Sequence, residues 1–410
     1  MPEFFRVIPP DELVEALGAF PRLAAERVPL DDALGRTLAA DVASPEDLPE
    51  GPRATMDGYA VRAADTFGAS DSIPALLTVG GAVEMGSLPG FRVGPGQAAP
   101  IPTGGFLPEG ADAVVMIEYA NPLPPEGIEV ARPVTAGENV LAKGEDVAAG
   151  AAVLAAGRAI GAREIGLLAG LGITELTVVR RPRVAVLSTG DEVVPIDRRP
   201  GPGKIRDANA HAVAALVRAC GATAIRYDIV PDDPARLRDA LLRGLAEADL
   251  VVLSGGSSVG KRDLMVDAVG GLPGAEVLAH GVAISPGKPT LLARRDGKAI
   301  LGLPGHPVSA LVVAQVFLAP FLRHLQGGAM AKGPLGPRVR AVLATSLHSA
   351  QGREEYVRVR LETTGGRTIA RPVFGKSGML STLARADGLV VVPIHAEGIA
   401  KGDEVEVVLL

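Results

Sequence analysis

From Arg183 onward, apolar runs of strand length alternate with stretches whose apolar positions recur every three to four residues. RVAVLST (183–189) predicts a buried strand. Asp207 then stands where a helix can be capped, with Val213, Leu216, Val217 and Cys220 on one face. ATAIRYDIV (222–230) reads as strand, and PARLRDALLRGLAEA (234–248) as a helix with proline in its first turn. DLVVLS (249–254) is the next strand, and 298–317 reads as a strand, a tight turn and a long apolar helix. Strands alternating with helices predict a parallel or mostly parallel sheet covered on both faces.

The texture differs on either side of this block. Leu13, Ala16, Leu17, Phe20 and Leu23 are helically spaced, with Pro21 interrupting, and REIGLLAGLG (163–172) is again helical. Between Ser44 and Asp146, short runs such as Leu76–Val79, Ala113–Ile117 and Ile128–Val130 are separated by Gly/Pro turns, which predicts a β-rich insert. From about Arg338 the short runs VRAVLAT, YVRVRL, TIARPVF, GLVVVP and DEVEVVLL predict a small C-terminal β-barrel. No internal repeat or low-complexity tract is found.

Composition narrows the function classes. A chain of 410 residues is long for one core, so two to four domains are expected. Gly (51) and Pro (34) are scattered between apolar runs, so they signal tight turns and not disorder. Aromatics at 3% with no Trp argue against base stacking, and a formal charge of −6 removes a general drive toward nucleic acid. Cys220 is the only cysteine, which rules out a disulfide framework or a cysteine metal site and fits a reducing cytosol. The first residues lack the basic-then-apolar pattern of a signal peptide. The apolar stretch 310–322 is short for a bilayer and contains Pro320. A soluble, cytoplasmic protein is therefore expected, with no membrane and no nucleic acid as partners.

In an open α/β sheet, ligands sit beyond the carboxyl ends of the strands. Three loops fall there: STGDE (188–192), SGGSSVGKRD (254–263) and LPGHPVS (303–309). One Gly-rich loop can be a mere strand-to-helix turn, but three at one sheet edge predict a composite anion site. Glu192, Asp232 and Asp263 lie at the same strand ends. Singly each acid reads equally as a helix cap or a solvated charge; together beside a phosphate they imply Mg²⁺ or a similar hard ion. Lys288, in ISPGKPT (284–290), projects either a functional charge or a solvated turn cation. Asp57 in ATMDGYAV and Thr103 in IPTGG are an acid and a hydroxyl in turns, which spacing does not connect to the anion site. His280, His306 and His395 lack metal-ligand spacing, and HExxH and GxxxxGK[ST] are absent, which disfavours zinc and P-loop chemistry.

MDGYAV, PTGG with GADAVV, KGED, LSTGDEV, RDAN, SGGSSVG, PGKP and LPGHPVSA, in this order, resemble the molybdopterin molybdenumtransferase family, which includes bacterial MoeA and the gephyrin E domain. The resemblance runs from Asp11 to about residue 405. It implies a fold of four parts. These are a helical stalk (1–43 and 147–180), a β-rich insert (44–146), a three-layer α/β/α molybdopterin-binding domain (181–330) and a C-terminal β-barrel (331–410). It also implies a homodimer whose active site lies between the α/β domain of one subunit and the insert of the other. The implied reaction inserts molybdate into adenylated molybdopterin and releases AMP, with Mg²⁺. Further implied partners are the molybdopterin adenylyltransferase and acceptor molybdoenzymes.

By resemblance, Gly255, Gly256, Ser257 and Ser258 hold the phosphate side of the pterin, Glu192 and Asp263 orient Mg²⁺, and Asp232 assists. Asp57 and Thr103 come from the partner subunit. Lys288 and Ser309 match oxyanion positions shaped by Pro304 and Pro307, and Arg358 and Ser377 match molybdate contacts in the barrel. The chain departs from the family at Ser285, where lysine is usual, at His306, where asparagine is usual, and at Ser257, where valine is common. Alternative readings are a tungstate-preferring insertase of this fold and a molybdopterin-binding scaffold without catalysis.

Overall fold

The computed structural model describes residues 7–255 and 264–410. The chain forms two compact units, one of Met1–Arg27, Gly35–Ala39 and Thr177–Leu410, the other of Val28–Leu34 and Ala40–Leu176.

The first unit is built on a six-stranded sheet. In chain order its strands are β1 (Arg183–Ser188), β2 (Thr223–Arg226), β3 (Leu250–Ser254), β4 (Glu276–His280), β5 (Leu291–Arg295) and β6 (Lys298–Leu303), arranged in space as β2-β1-β3-β6-β5-β4. The pairs β2–β1, β1–β3 and β3–β6 are parallel, and β6–β5 and β5–β4 are antiparallel. The sheet is therefore mostly parallel, as the alternating pattern predicts. Residues of one strand face opposite sides: Val184 and Val186 enter one apolar layer with Val213, Val217 and Phe317, whereas Ala185 and Leu187 enter another with Leu237, Leu241 and Met265.

Helices cover both faces. α1 (Ala208–Ala219) is capped by Asp207, whose carboxylate accepts from the N–H of Ala210 at 3.0 Å. α2 (Pro234–Glu247) starts with proline, and Asp233 accepts from the Arg236 N–H at 2.8 Å. α3 (Leu264–Gly270) and α4 (Pro307–Val313) follow β3 and β6. From α4 the helix runs on through a π-helical turn, Ala314–Leu318, to Leu325, a total of 19 residues. The wider turn lies directly ahead of Pro320, which has no N–H to offer the ladder. This helix is longer than the 310–322 stretch suggests and is apolar enough to cross a membrane. Yet 83% of its most apolar window is buried, so it is a core helix.

The segment read as one strand at 222–230 pairs as β2 only to Arg226. Beyond it the chain follows β1, with Tyr227 and Val230 donating to the carbonyls of Val186 and Ser188, and so carries Asp232 to the end of β1. Helix Pro10–Gly18 packs Leu13 and Leu17 into the same core as Phe317, and Phe20 meets the Phe321 ring edge-on at 5.4 Å.

The same unit carries a closed five-stranded barrel. Strands Arg338–Leu343, Glu354–Thr364, Arg367–Pro372, Gly388–Val392 and Glu404–Leu409 close because Glu354–Thr364 pairs with both Arg367–Pro372 and Gly388–Val392. Val359, Ala370, Val390 and Val407 fill its interior. A two-residue strand, Ile284–Ser285, adds to it in parallel, with Ser285 opposite Glu355.

The second unit has a six-stranded sheet in which Gly58–Val61 lies between Ala113–Met116 and Gln97–Ile101. Val61, Leu77, Val115 and Ile128 pack on one face, and Ala60, Ile101 and Val114 on the other. Helix Ala162–Gly170 belongs to this unit.

Candidate active site

The carboxyl ends of β1, β3 and β6 open on a cavity of about 580 Å³. Its wall includes Ser188, Thr189, Ser254, Gly255, Pro304 and Pro307. Ser188 donates to Asp207 at 2.9 Å, so the carboxylate that caps α1 also anchors the first strand end. Thr189 N–H donates to the Ser254 carbonyl at 3.0 Å and draws the first two loops together. Gly255 has φ +112°, and a Cβ on it would lie 2.1 Å from the Thr189 carbonyl oxygen. Only glycine fits this close approach of two backbones. On the third loop, Asn209 donates to the Gly305 carbonyl at 2.8 Å, which ties the turn before α4 to α1.

The described acids lie on the loops after β1 and β2. Glu192 lines the cavity and is exposed. Gly190, at φ +145°, makes room for it: a Cβ there would stand 2.7 Å from its carboxylate. Asp232 accepts from the Thr189 hydroxyl at 3.1 Å, and its own N–H donates to Asp191 at 3.2 Å. Asp232 thus fastens the loop after β1 to the loop after β2. Gly256, Ser257, Ser258 and Asp263 lie outside the described residues.

A second cavity, of about 730 Å³, lies beside the first; Pro289 and Ser309 line both. Its wall brings together Lys288, Ser309, Arg358 and Ser377, two from the α/β domain and two from the barrel. Arg358 is held by donation to the Thr382 hydroxyl at 3.1 Å and the Gly375 carbonyl at 3.0 Å. Its Nε is buried with no hydrogen-bond partner, and burial pushes the guanidinium pKa down. A buried cation with an unmet donor favours an incoming anion. Ser309 is itself buried and sits in the first turn of α4, where the orphan N–H groups and the helix dipole favour negative charge. Ser377 meets His306 at 2.9 Å between Oγ and Nδ1.

In the second unit, Asp57 and Thr103 form a pair. The backbone N–H and the hydroxyl of Thr103 both donate to one oxygen of Asp57, at 2.7 and 2.8 Å. Two turns that spacing left separate are in contact.

The donors at the β1 end of the first cavity are all oxygens: the hydroxyls of Ser188, Thr189 and Ser254 and the carboxylates of Glu192 and Asp207. That chemistry suits a hard cation shared with a phosphate, in which the protein supplies only one or two carboxylates. Among the described residues, no three His, Cys, Asp or Glu side chains gather to hold a metal ion. Sequence reasoning passed over Thr189, Asn209 and Asp207 as site residues. Asp207 carried a signal, since a capping acid one loop beyond a strand end can also reach the strand end itself.

Three family descriptions match the chain. Residues 8–172 match "MoeA N-terminal region (domain I and II)", 185–324 match "Probable molybdopterin binding domain" and 340–410 match "MoeA C-terminal region (domain IV)". A molybdopterin molybdenumtransferase of Nostoc sp. is 38% identical over 390 residues, covering 94% of this chain and 88% of the relative. Molybdopterin molybdenumtransferase 2 of Mycobacterium tuberculosis is 37% identical over 388 residues, covering 93% and 94%. The crystal structure of a molybdopterin biosynthesis MoeA protein from Pyrococcus horikoshii superposes with a TM-score of 0.83 at 36% identity, covering 98% of this chain and 99% of that one.

Proposed function

The chain belongs to the MoeA family of molybdopterin molybdenumtransferases and works in molybdenum cofactor biosynthesis, and from that premise we propose how its own residues perform the transfer. The substrates are adenylated molybdopterin and molybdate, and the products are AMP and the metal-bearing pterin. What supports the reading is the pair of adjoining cavities, one lined by strand-end backbone and hydroxyls, the other by Lys288, Arg353 and Arg358 with the hydroxyls of Ser309 and Ser377, beside Glu355. The first suits a phosphorylated pterin and the second a doubly charged oxyanion.

In this reading Gly255, with Gly256, Ser257 and Ser258, offers N–H and hydroxyl donors to the pterin phosphate. Pro304 and Pro307 fix the turn that forms the opposite wall. Lys288, Ser309, Arg358 and Ser377 bind molybdate next to the dithiolene end of the pterin. Glu192 and Asp263 are the residues that would hold Mg²⁺, which when bound screens the pyrophosphate charge. Asp232 orients the water that attacks the phosphoanhydride, with its own position set by Thr189. As that P–O bond breaks, AMP leaves and the phosphate remains with the pterin. The active molecule is a cytoplasmic homodimer, with Asp57 and Thr103 contributed by the partner subunit. The working division is a stalk of 1–43 and 147–180, an insert of 44–146, a pterin domain of 181–330 and a barrel of 331–410.

The test is an insertion assay with adenylated molybdopterin, Mg²⁺ and either molybdate or tungstate, in which AMP release and metal in the pterin are both followed. AMP release coupled to molybdenum uptake is expected. Tight pterin binding with no AMP release from either oxyanion would sink the proposal.

A further inference from the structure

We infer that His306 is a positioning residue that decides which way the Ser377 hydroxyl points, and so whether the oxyanion cavity offers this hydroxyl as a further donor. The inference rests on the oxyanion reading of the 730 Å³ cavity.

His306 is the residue before α4 and lines the first cavity, whereas Ser377 lines the second. Their side chains meet at 2.9 Å. The backbones are also fixed to each other's neighbourhood, because Val308 N–H donates to the Ser377 carbonyl at 3.0 Å. Asn209 holds the same turn from the other side through Gly305. With both main chains pinned, the hydroxyl proton of Ser377 is what remains free to choose a direction.

A hydroxyl has one proton and two lone pairs. When Nδ1 is bare, Ser377 donates to it and presents only lone pairs to the cavity, which an oxyanion does not accept. When Nδ1 carries a proton, the imidazole donates to Ser377, and the O–H turns to the oxyanion. The imidazolium form always provides that proton, and histidine changes charge near neutral pH. An asparagine amide does not change its protonation with pH, whereas His306 makes this donor conditional on the proton at Nδ1.

Other groups facing this contact also carry charge. Glu192, Arg206 and Asp207 line the first cavity. Lys288, His348, Arg353, Glu355, Tyr356 and Arg358 line the second, and Lys376 is adjacent to Ser377 in the chain. Of these, His348 is the other imidazole. It is the necessary control.

The experiment is calorimetric titration of the full chain with molybdate alone, at about pH 6 and about pH 8 on either side of the ordinary histidine value. Wild type is expected to bind about tenfold more weakly at the higher pH, the scale of one hydrogen bond to a charged group. His306→Asn should bind with nearly equal affinity at both, Ser377→Ala weakly at both, and His348→Gln should keep the wild-type slope. A flat wild-type profile overturns the inference, as does a slope that survives in His306→Asn or Ser377→Ala. Arg358→Gln separates the two levels. If it abolishes binding while the slopes contradict these expectations, the cavity reading stands and the role of His306 falls. If Arg358→Gln binds like wild type, or wild type does not bind at all, the cavity reading falls and takes this inference with it.

Discussion

Thr103 grips one oxygen of Asp57 twice, with its backbone N–H at 2.7 Å and its hydroxyl at 2.8 Å. The backbone bond first and the hydroxyl second hold the Asp57 carboxyl below the ordinary aspartate range. The sign follows: a lowered folded pKa favours the ionised form, so its contribution is present above the ordinary value and is lost as pH falls through the lowered one. Thr103→Val keeps the N–H and removes the hydroxyl. The Asp57 titration, followed by carboxyl NMR, should then move part of the way back toward about 3.9. An unmoved titration would deny the hydroxyl any role. Asp57→Asn should lower kcat of metal insertion by roughly 10²- to 10⁴-fold if the carboxylate handles protons in the reaction.

Gly255→Ala should be costly for both folding and binding. Its Cβ would lie 2.1 Å from the Thr189 carbonyl, at a φ of +112° that L side chains rarely adopt. One of the two strand ends must then shift, at about 1–3 kcal/mol by the scale of strained backbone positions. Denaturant unfolding measures that loss, and pterin affinity should fall with it. Wild-type stability would show that the loops move apart freely.

Arg358→Lys should separate charge from geometry. The guanidinium spans the Thr382 hydroxyl and the Gly375 carbonyl at once, which a lysine ammonium on a flexible stem does not reproduce. KM for molybdate should rise about tenfold or more with a smaller change in kcat, the pattern of lost ground-state binding. An unchanged KM would assign the molybdate contact elsewhere.

Glu164 provides a pH test of stability in the second unit. Arg158, and after it the N–H groups of Glu164 and Gly161, push its carboxyl down to about 2. The carboxylate reaches back to the Gly161 N–H at 2.9 Å and closes the first turn of helix Ala162–Gly170. Its stabilising effect is therefore full above the ordinary glutamate value of about 4.3 and fades as pH drops toward about 2. Glu164→Gln should lower Tm at neutral pH, and the gap from wild type should close in strong acid. A gap that is constant with pH would mean that charge has no part in it.

The periodicities made the α/β block legible because its strands are buried on both faces and its helices have caps written in the sequence, as Asp207 and Pro234 show. The barrel was legible from its short alternating runs. β4 and β5 were not. β4 has a register shift between Val277 and Ala279 that breaks its alternation, and Val277 is exposed. The strand-end cavity followed from topology alone, since the three loops had to meet at one edge. That Lys288 and Arg358 line one cavity, and that Asp57 meets Thr103, could not be read from spacing, because each pairing joins segments distant in the chain.

The two-residue parallel pairing of Ile284–Ser285 with Glu354–Glu355 acts as a ruler. Ser285 stands opposite Glu355, and three residues further along each chain come Lys288 and Arg358. The spacing between the two cations is thus counted from one seam. A single inserted or deleted residue between Glu355 and Arg358 would shift that cation by about 3.3 Å along its strand and turn its side chain to the opposite face. Between Ser285 and Lys288, and between Glu355 and Arg358, the count itself is under constraint, even at positions whose side chains never meet the substrate.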